Sequence, residues 1–166
     1  MEYILTRRSI RRYTDQPVSE EVVTQLLKAA MAAPSAKNMQ PWHFVVVRDR
    51  ASLESIAAAS PYAGMTKRAQ VAIVICADSE IDPPWSWWVQ DCSAATENVL
   101  LAANELGLGA VWLGFYPLED RIEKVRTLLG LPDHIVPFSV IPLGYPAEQQ
   151  PPADRFDPQR IHFDRW

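Results

Sequence analysis

Residues Trp85 to Leu106 carry the longest helical pattern in the chain, and that pattern is apolar almost all the way round. Val89, Cys92, Thr96, Val99, Ala103 and Leu106 recur at spacings of three and four, which marks one helical face. Ala94, Ala95, Leu100, Leu101 and Ala102 extend the apolar surface round the other faces. A helix of this kind is stable only when nearly every side is covered. In a chain of 166 residues, a second subunit is the simplest source of that cover.

The other elements follow from shorter signals. Met1 to Arg7 reads as a short helix. Ser19 is placed to cap a second helix, with Glu20 and Glu21 in its first turn, and Pro34 ends it. "HFVVV" (His43 to Val47) is a short buried strand, and Ala51 to Ala59 is helical. "VAIVICA" (Val71 to Ala77) is apolar on both faces, as the central strand of a covered sheet must be. Ala110 to Gly114 is a third strand, Leu118 to Leu129 a further helix, and Phe138 to Leu143 a fourth strand. The segment from Tyr145 to Trp166 is proline-rich and aperiodic, yet it carries Phe156, Ile161, Phe163 and Trp166. Such a tail is expected to embrace a neighbouring copy. The whole chain, residues 1–166, reads as a single domain.

Charge narrows the partners. The formal net charge is -4, which argues against nucleic acid or an anionic membrane. Only Cys76 and Cys92 are present, in patterns that suggest reduced core thiols, and no Cys/His spacing implies a metal site. No apolar run approaches the length of a membrane span and no signal segment opens the chain, so a cytoplasmic protein is expected.

Against that acidic background, "RRSIRRY" (Arg7 to Tyr13) places four guanidinium groups in seven residues. A helical turn there would set Arg7 beside Arg11 and Arg8 beside Arg12, where like charges repel by a few tenths of a kcal/mol, roughly. A phosphate would relieve that repulsion, because the planar fork of arginine donates twice to two oxygens. A second stretch, "APSAKNMQPWHF" (Ala33 to Phe44), sets Ser35, Asn38 and Gln40 on a frame stiffened by Pro34 and Pro41. Such a loop can read the edge of a heterocycle; alternatively it is a plain helix-to-strand connection. Trp42 and His43 read as core and strand-edge residues. "GLGAVWLG" (Gly107 to Gly114) follows a helix and enters a strand, the reverse of a dinucleotide fingerprint. No carboxylate pair or Ser/His/Asp triad can be assembled. A phosphate cluster and a rigid polar loop without acid–base machinery suggest that a cofactor performs the chemistry.

These stretches, with "QDCSAATENVLLAANELGLGAVWLGFYP" and "PLGYPAEQQPPADRFDPQRIHFDRW", resemble the nitroreductase-like flavoproteins in order and over essentially the whole chain. The resemblance implies an α+β fold with a central, mostly antiparallel sheet flanked by helices. It also implies an intertwined homodimer with two FMN sites at the subunit interface. Carried over by position, Arg7, Arg8, Ser9 and Arg11 correspond to contacts with the FMN phosphate, ribityl chain and flavin edge. Pro34, Ser35, Ala36 and Asn38, with Gln40 in the same motif, correspond to the loop that the other subunit packs on the flavin. Leu113 and Gly114 correspond to the segment near flavin N5, and Arg155 to a basic residue closing on the phosphate. Ala153 stands where relatives often have a second lysine. The implied activity is hydride transfer from NADH or NADPH through FMN to a small-molecule acceptor such as a nitroaromatic or quinone. A specialised reductive dehalogenase or dehydrogenase, or a flavin-binding module without turnover, remains open at this stage. "DSEIDPPWSWW" (Asp78 to Trp88) is the expected wall over the acceptor, where Trp85, Trp87 and Trp88 either stack it or pack an interface.

Overall fold

The computed structural model describes residues 1–81 and 87–166. In chain order it has α1 (Glu2–Thr6), α2 (Glu20–Met31), β1 (Trp42–Val47), α3 (Arg50–Ala59), β2 (Val71–Asp78), α4 (Trp88–Glu105), β3 (Gly109–Ala110), β4 (Leu113–Gly114), α5 (Glu119–Leu129) and β5 (Ile135–Gly144). The sheet runs β1-β2-β5-β3, with β4 also on β5, and every pairing is antiparallel. Helices cover both faces. Val71, Ile73, Ile75 and Ala77 of β2 pack with α2 and α4, and Ala72, Val74 and Cys76 pack with α3 and α5. The two-faced apolarity of β2 is thus explained by its central place. Full burial of a side chain such as Leu26, Leu53, Ile56 or Ile73 stabilises by roughly 1.5–3 kcal/mol.

Proline shapes the middle of the sheet. β5 begins before the expected Phe138 because Pro137 disguises its start in the sequence, and it ends at Gly144, one residue past the expected Leu143. Pro137 lies opposite Cys76, where the register with β2 shifts, so the bulge absorbs its missing N–H. Pro142 divides the expected strand Ala110 to Gly114 in two. β3 and β4 share one register along β5, and the gap between them falls opposite Pro142, which has no N–H to donate.

Helix α4 begins at Trp88, three residues later than the periodicity suggests, with Trp87 at its N-cap; Trp85 lies outside the described residues. Its own chain covers more of it than its composition implies. Every residue from 91 to 104 is buried or half-buried in a single copy, between the sheet, α2 and α1. Side-chain bonds fix these contacts: Asn98 Nδ2 donates to the Ala29 carbonyl at 2.9 Å, and Asn104 Nδ2 to the Tyr3 carbonyl at 3.0 Å. The Thr96 hydroxyl donates to the Cys92 carbonyl at 2.7 Å, so the buried Ser139 hydroxyl, 2.9 Å away, must donate to Thr96.

The C-terminal tail divides in two. Its first part follows the arginine segment: Thr14 N–H donates to the Tyr145 carbonyl at 2.8 Å, Ala147 N–H to the Arg12 carbonyl at 2.9 Å, and Gln150 Nε2 to the Ser9 carbonyl at 3.1 Å. Its last part leaves apolar groups in solvent, with Phe163 84% and Trp166 101% exposed. No helix among the described residues is long and apolar enough to cross a membrane.

Candidate functional site

The arginine segment is extended. Helix α1 ends at Thr6, and Arg7 already has φ -57 and ψ 126, so the stacked pairs of a helical turn do not form. The chain instead runs along the sheet edge. Ser9 bridges Ala110, Ile10 N–H donates to the Ala110 carbonyl at 2.9 Å, and Tyr13 bridges Pro146. Two glycines permit this approach. A Cβ on Gly109 would stand 2.5 Å from Ile10 Cγ2, and one on Gly144 would stand 2.8 Å from Tyr13 Cβ. The Tyr13 hydroxyl lies 2.9 Å from the Ile10 carbonyl and 3.2 Å from that of Pro142. Burial raises its pKa well above the ordinary value, opposed by the nearby charge of Arg11.

Extension sends the four guanidinium groups to different places. Arg7 Nε meets Glu97 Oε1 at 3.3 Å, Arg8 Nη1 bonds the Pro151 carbonyl, and Arg12 Nε is 4.0 Å from Glu148 Oε2. Glu148 Oε1 also accepts the backbone N–H of Arg11 at 2.6 Å and of Arg12 at 3.3 Å. The Arg11 guanidinium touches only the Ser9 carbonyl, at 3.3 Å, and has no carboxylate partner among the described residues.

Arg11 opens into a cavity of about 580 Å³, with Tyr62, Trp112, Leu113, Gly114 and Arg121 among its lining residues and, among the described residues, no acidic one. Strand geometry explains what Gly114 presents there. Phe115 N–H donates to the Phe138 carbonyl of β5 at 3.1 Å, and antiparallel bonds alternate along a strand. The N–H and C=O of Gly114 therefore point away from β5. Its carbonyl accepts from Arg121 Nη1 at 3.1 Å. Its N–H lies on the same side, and a Cβ at Gly114 would meet nothing within 4 Å. No contact among the described residues requires glycine here. The space suits a ligand that approaches the backbone closely.

Arg7 and Arg155 line a second cavity of about 240 Å³, with Ala153 and Asp154 also in its lining. Arg8 lines a third, of about 270 Å³. From Arg7 to Arg11 the extended chain advances about 13 Å. The two cavities holding Arg7 and Arg11 thus suit a ligand anionic at one end and planar at the other. That shape and charge fit FMN.

The loop from 34 to 40 is elsewhere. It is held by Ala36 N–H on Asp91 Oδ1 at 3.0 Å, Gln40 N–H on Ser35 Oγ at 3.0 Å and Gln40 Nε2 on Asn38 Oδ1 at 2.9 Å. Lys37, Asn38 and Gln40 have φ of 52, 57 and 50, a left-handed path unusual outside functional loops. Pro34, Asn38 and Gln40 are exposed, and Ser35 and Ala36 half-buried. The loop adjoins the start of β1, whereas Arg11 adjoins the end of β5 at the far edge of the sheet. Three strand spacings and seven residues of strand separate them, roughly 25 Å. One copy does not bring the two halves of the expected site together.

Trp88 is a core residue, edge-to-face with Tyr116 at 4.7 Å, and cannot wall an acceptor. Trp87 is half exposed. Tyr62 and Arg121, both lining the large cavity, escape the sequence reading: one sits in a short turn, the other in a charged first turn of α5 that resembles an ordinary solvated face. No group of acidic, histidine or cysteine residues suited to a metal occurs among the described residues.

Comparison with known proteins bears on this arrangement. The model of the Nitroreductase family matches residues 4–61 and 53–145. A relative from Methanothermobacter thermautotrophicus is 56% identical over 166 residues, covering 100% of this chain and 87% of its own length; its name includes NAD(P)H nitroreductase. A Bacteroides thetaiotaomicron structure with a similar name superposes with a TM-score of 0.96 at 47% identity, covering 99% of this chain and 96% of its own. A Desulfovibrio desulfuricans relative, solved in complex with FMN, superposes with a TM-score of 0.85 at 35% identity, covering 99% and 96%. An antiparallel sheet sheathed by helices, an arginine-bearing edge and relatives matched from end to end lead to one conclusion: the chain belongs to the nitroreductase family.

Proposed function

We propose that the protein is an FMN-dependent oxidoreductase that draws hydride from NADH or NADPH, reduces a small acceptor such as a nitroaromatic or quinone, and works as a homodimer. The observation that carries this reading is the cavity where Arg11 and Arg121 meet the open backbone of Gly114, with no acidic residue among the described residues of the lining. Bound FMN supplies the hydride-accepting and hydride-donating centre, which accounts for the missing acid–base constellation. The chain contributes binding, orientation and charge.

Arg7 and Arg155 hold the phosphate, displacing Glu97 from Arg7, while Arg8 and Ser9 support the ribityl chain. Arg11 would hold a fixed positive charge beside the bound flavin, favouring its electron-rich reduced form. Leu113 would shape the wall, and the outward Gly114 N–H would supply a hydrogen-bond donor to the bound ring. Pro34, Ser35, Ala36, Asn38 and Gln40 of a second copy close the opposite face, because the same loop in one copy lies too far away. Cover by that loop and by the exposed tail excludes water from the reacting atoms.

The purified protein is expected to be yellow and to bleach anaerobically on addition of NADH or NADPH. Arg11→Ala should weaken FMN by about tenfold or more, the loss of a charge-assisted contact worth roughly 1.5–3 kcal/mol. A folded protein that neither binds added FMN nor bleaches at millimolar nucleotide refutes the reading.

A further inference from the structure

We infer that Arg121 is the specificity-determining residue for the acceptor, and that the favoured acceptor is a planar molecule bearing an anionic group such as a carboxylate. This rests on the function proposed above and names the substrate class of the same site.

Arg121 projects from the first turn of α5 into the lining of the 580 Å³ cavity. Two contacts preset its guanidinium. Nη1 donates to the Gly114 carbonyl at 3.1 Å, and Cζ lies 5.7 Å from the centroid of the Tyr62 ring. That distance is within cation–π range, and the Tyr62 ring is itself 72% exposed at the cavity lip. The remaining N–H donors have no acceptor, and no carboxylate oxygen lies within 4.0 Å, among the described residues. Its sequence neighbours do not neutralise it: Asp120 pairs with Lys124 at 3.7 Å, and neither Glu119 nor Asp120 lines the cavity.

Among the described residues the cavity therefore holds two guanidinium groups and no acid, and the two are not equivalent. Arg11 belongs to the segment that carries the cofactor contacts. Arg121 belongs to a different element, fastened to the carbonyl of the residue whose N–H faces the flavin. It is a spare, oriented fork beside the place where hydride leaves. A planar acceptor lying over the flavin can set a carboxylate against that fork while its ring contacts Tyr62. Bidentate pairing of guanidinium and carboxylate is directional, so it fixes the acceptor's orientation as well as its affinity. A neutral acceptor leaves Arg121 unpaired and loses that selection.

The test compares 4-nitrobenzoate with 4-nitrobenzamide in the FMN-loaded enzyme. In each first two-electron turnover one NAD(P)H and one proton are consumed, the nitro group becomes nitroso, and one water leaves. Wild-type kcat/KM should favour the carboxylate by about tenfold or more, mostly through KM, and the preference should shrink as salt rises. In Arg121→Gln the ratio should fall to about one, and Arg121→Lys should restore part of it. A wild-type ratio of one, or an Arg121→Gln variant that alters only the KM ratio of NADPH to NADH, overturns the proposal. The wild-type measurement stands even if the variants fail to fold. Loss of FMN binding or of bleaching by NAD(P)H would instead indict the underlying functional reading, and both are recorded first.

Discussion

At the residue scale, burial decides how the two thiols behave. Cys76 and Cys92 lie on opposite sides of the contact between β2 and α4, with Cys92 Sγ 3.8 Å from the Cys76 carbonyl. Burial pushes the Cys76 thiol from 9.0 up to about 12, and raises Cys92 further with help from the charges of Cys76 and Asp91. The folded values lie above the unfolded ones. The associated stability is therefore complete below about pH 9 and falls as pH rises, because the unfolded chain releases its thiol protons first. Stability measured by denaturant unfolding should decline above pH 9, by up to about 1.4 kcal/mol per pH unit for each group. Cys76→Ala with Cys92→Ala should flatten that decline. An unchanged slope in the double variant would mean that other groups govern it. Burial of both cysteines was readable from their apolar surroundings in sequence.

At the scale of elements, the approach of the arginine segment to the sheet edge rests on Gly109 and Gly144. Overpacking at such a contact typically costs about 1–3 kcal/mol. Gly144→Ala should lower stability by that order and loosen FMN, because Tyr13 and its neighbouring arginines must shift together. Gly64→Ala, with nothing within 4 Å of its new methyl, serves as the control and should unfold like the wild type. Thermal melts of both variants and an FMN titration of Gly144→Ala check this; Gly64 lines the 580 Å³ cavity, so it is a control for stability alone. Most elements were legible here. Ser19 caps α2 as its spacing suggests, accepting from Val22 N–H at 3.3 Å, and β1, β2, α3 and α5 lie within a few residues of their expected places. The i,i+4 spacing of the arginine segment suits a helix, while the glycines that receive it as an extended chain sit some hundred residues away in sequence. The division of the third strand was equally hidden, since its cause, Pro142, belongs to another strand.

At the scale of the molecule, the apolar composition of α4 overstated the need for a partner, because α1, α2 and the sheet cover most of it. The stronger sign is the tail. Residues up to Pro151 are bonded to the arginine segment, while Phe156, Phe163 and Trp166 are 78%, 84% and 101% exposed. A chain ending at Phe156 should keep its fold, since every lost residue except the half-buried Asp157 is exposed. It should also sediment as a monomer and lose flavin on gel filtration. Persistence of a stable, yellow dimer would show that the tail does not clasp a neighbour. Arg11 and Gly114, which line one cavity, and the 34–40 loop were each singled out in the sequence. Their placement was not legible there, because only the strand order sets the loop and the arginines at opposite corners of the sheet.

That diagonal layout governs how damage is inherited by an assembled pair. If each reaction centre draws one half from either chain, a lesion in the loop and a lesion in the arginine edge fall in different centres when carried by the same copy. They fall in one centre when carried by opposite copies. A hybrid of two crippled chains can thus retain one whole centre, although neither parent forms any.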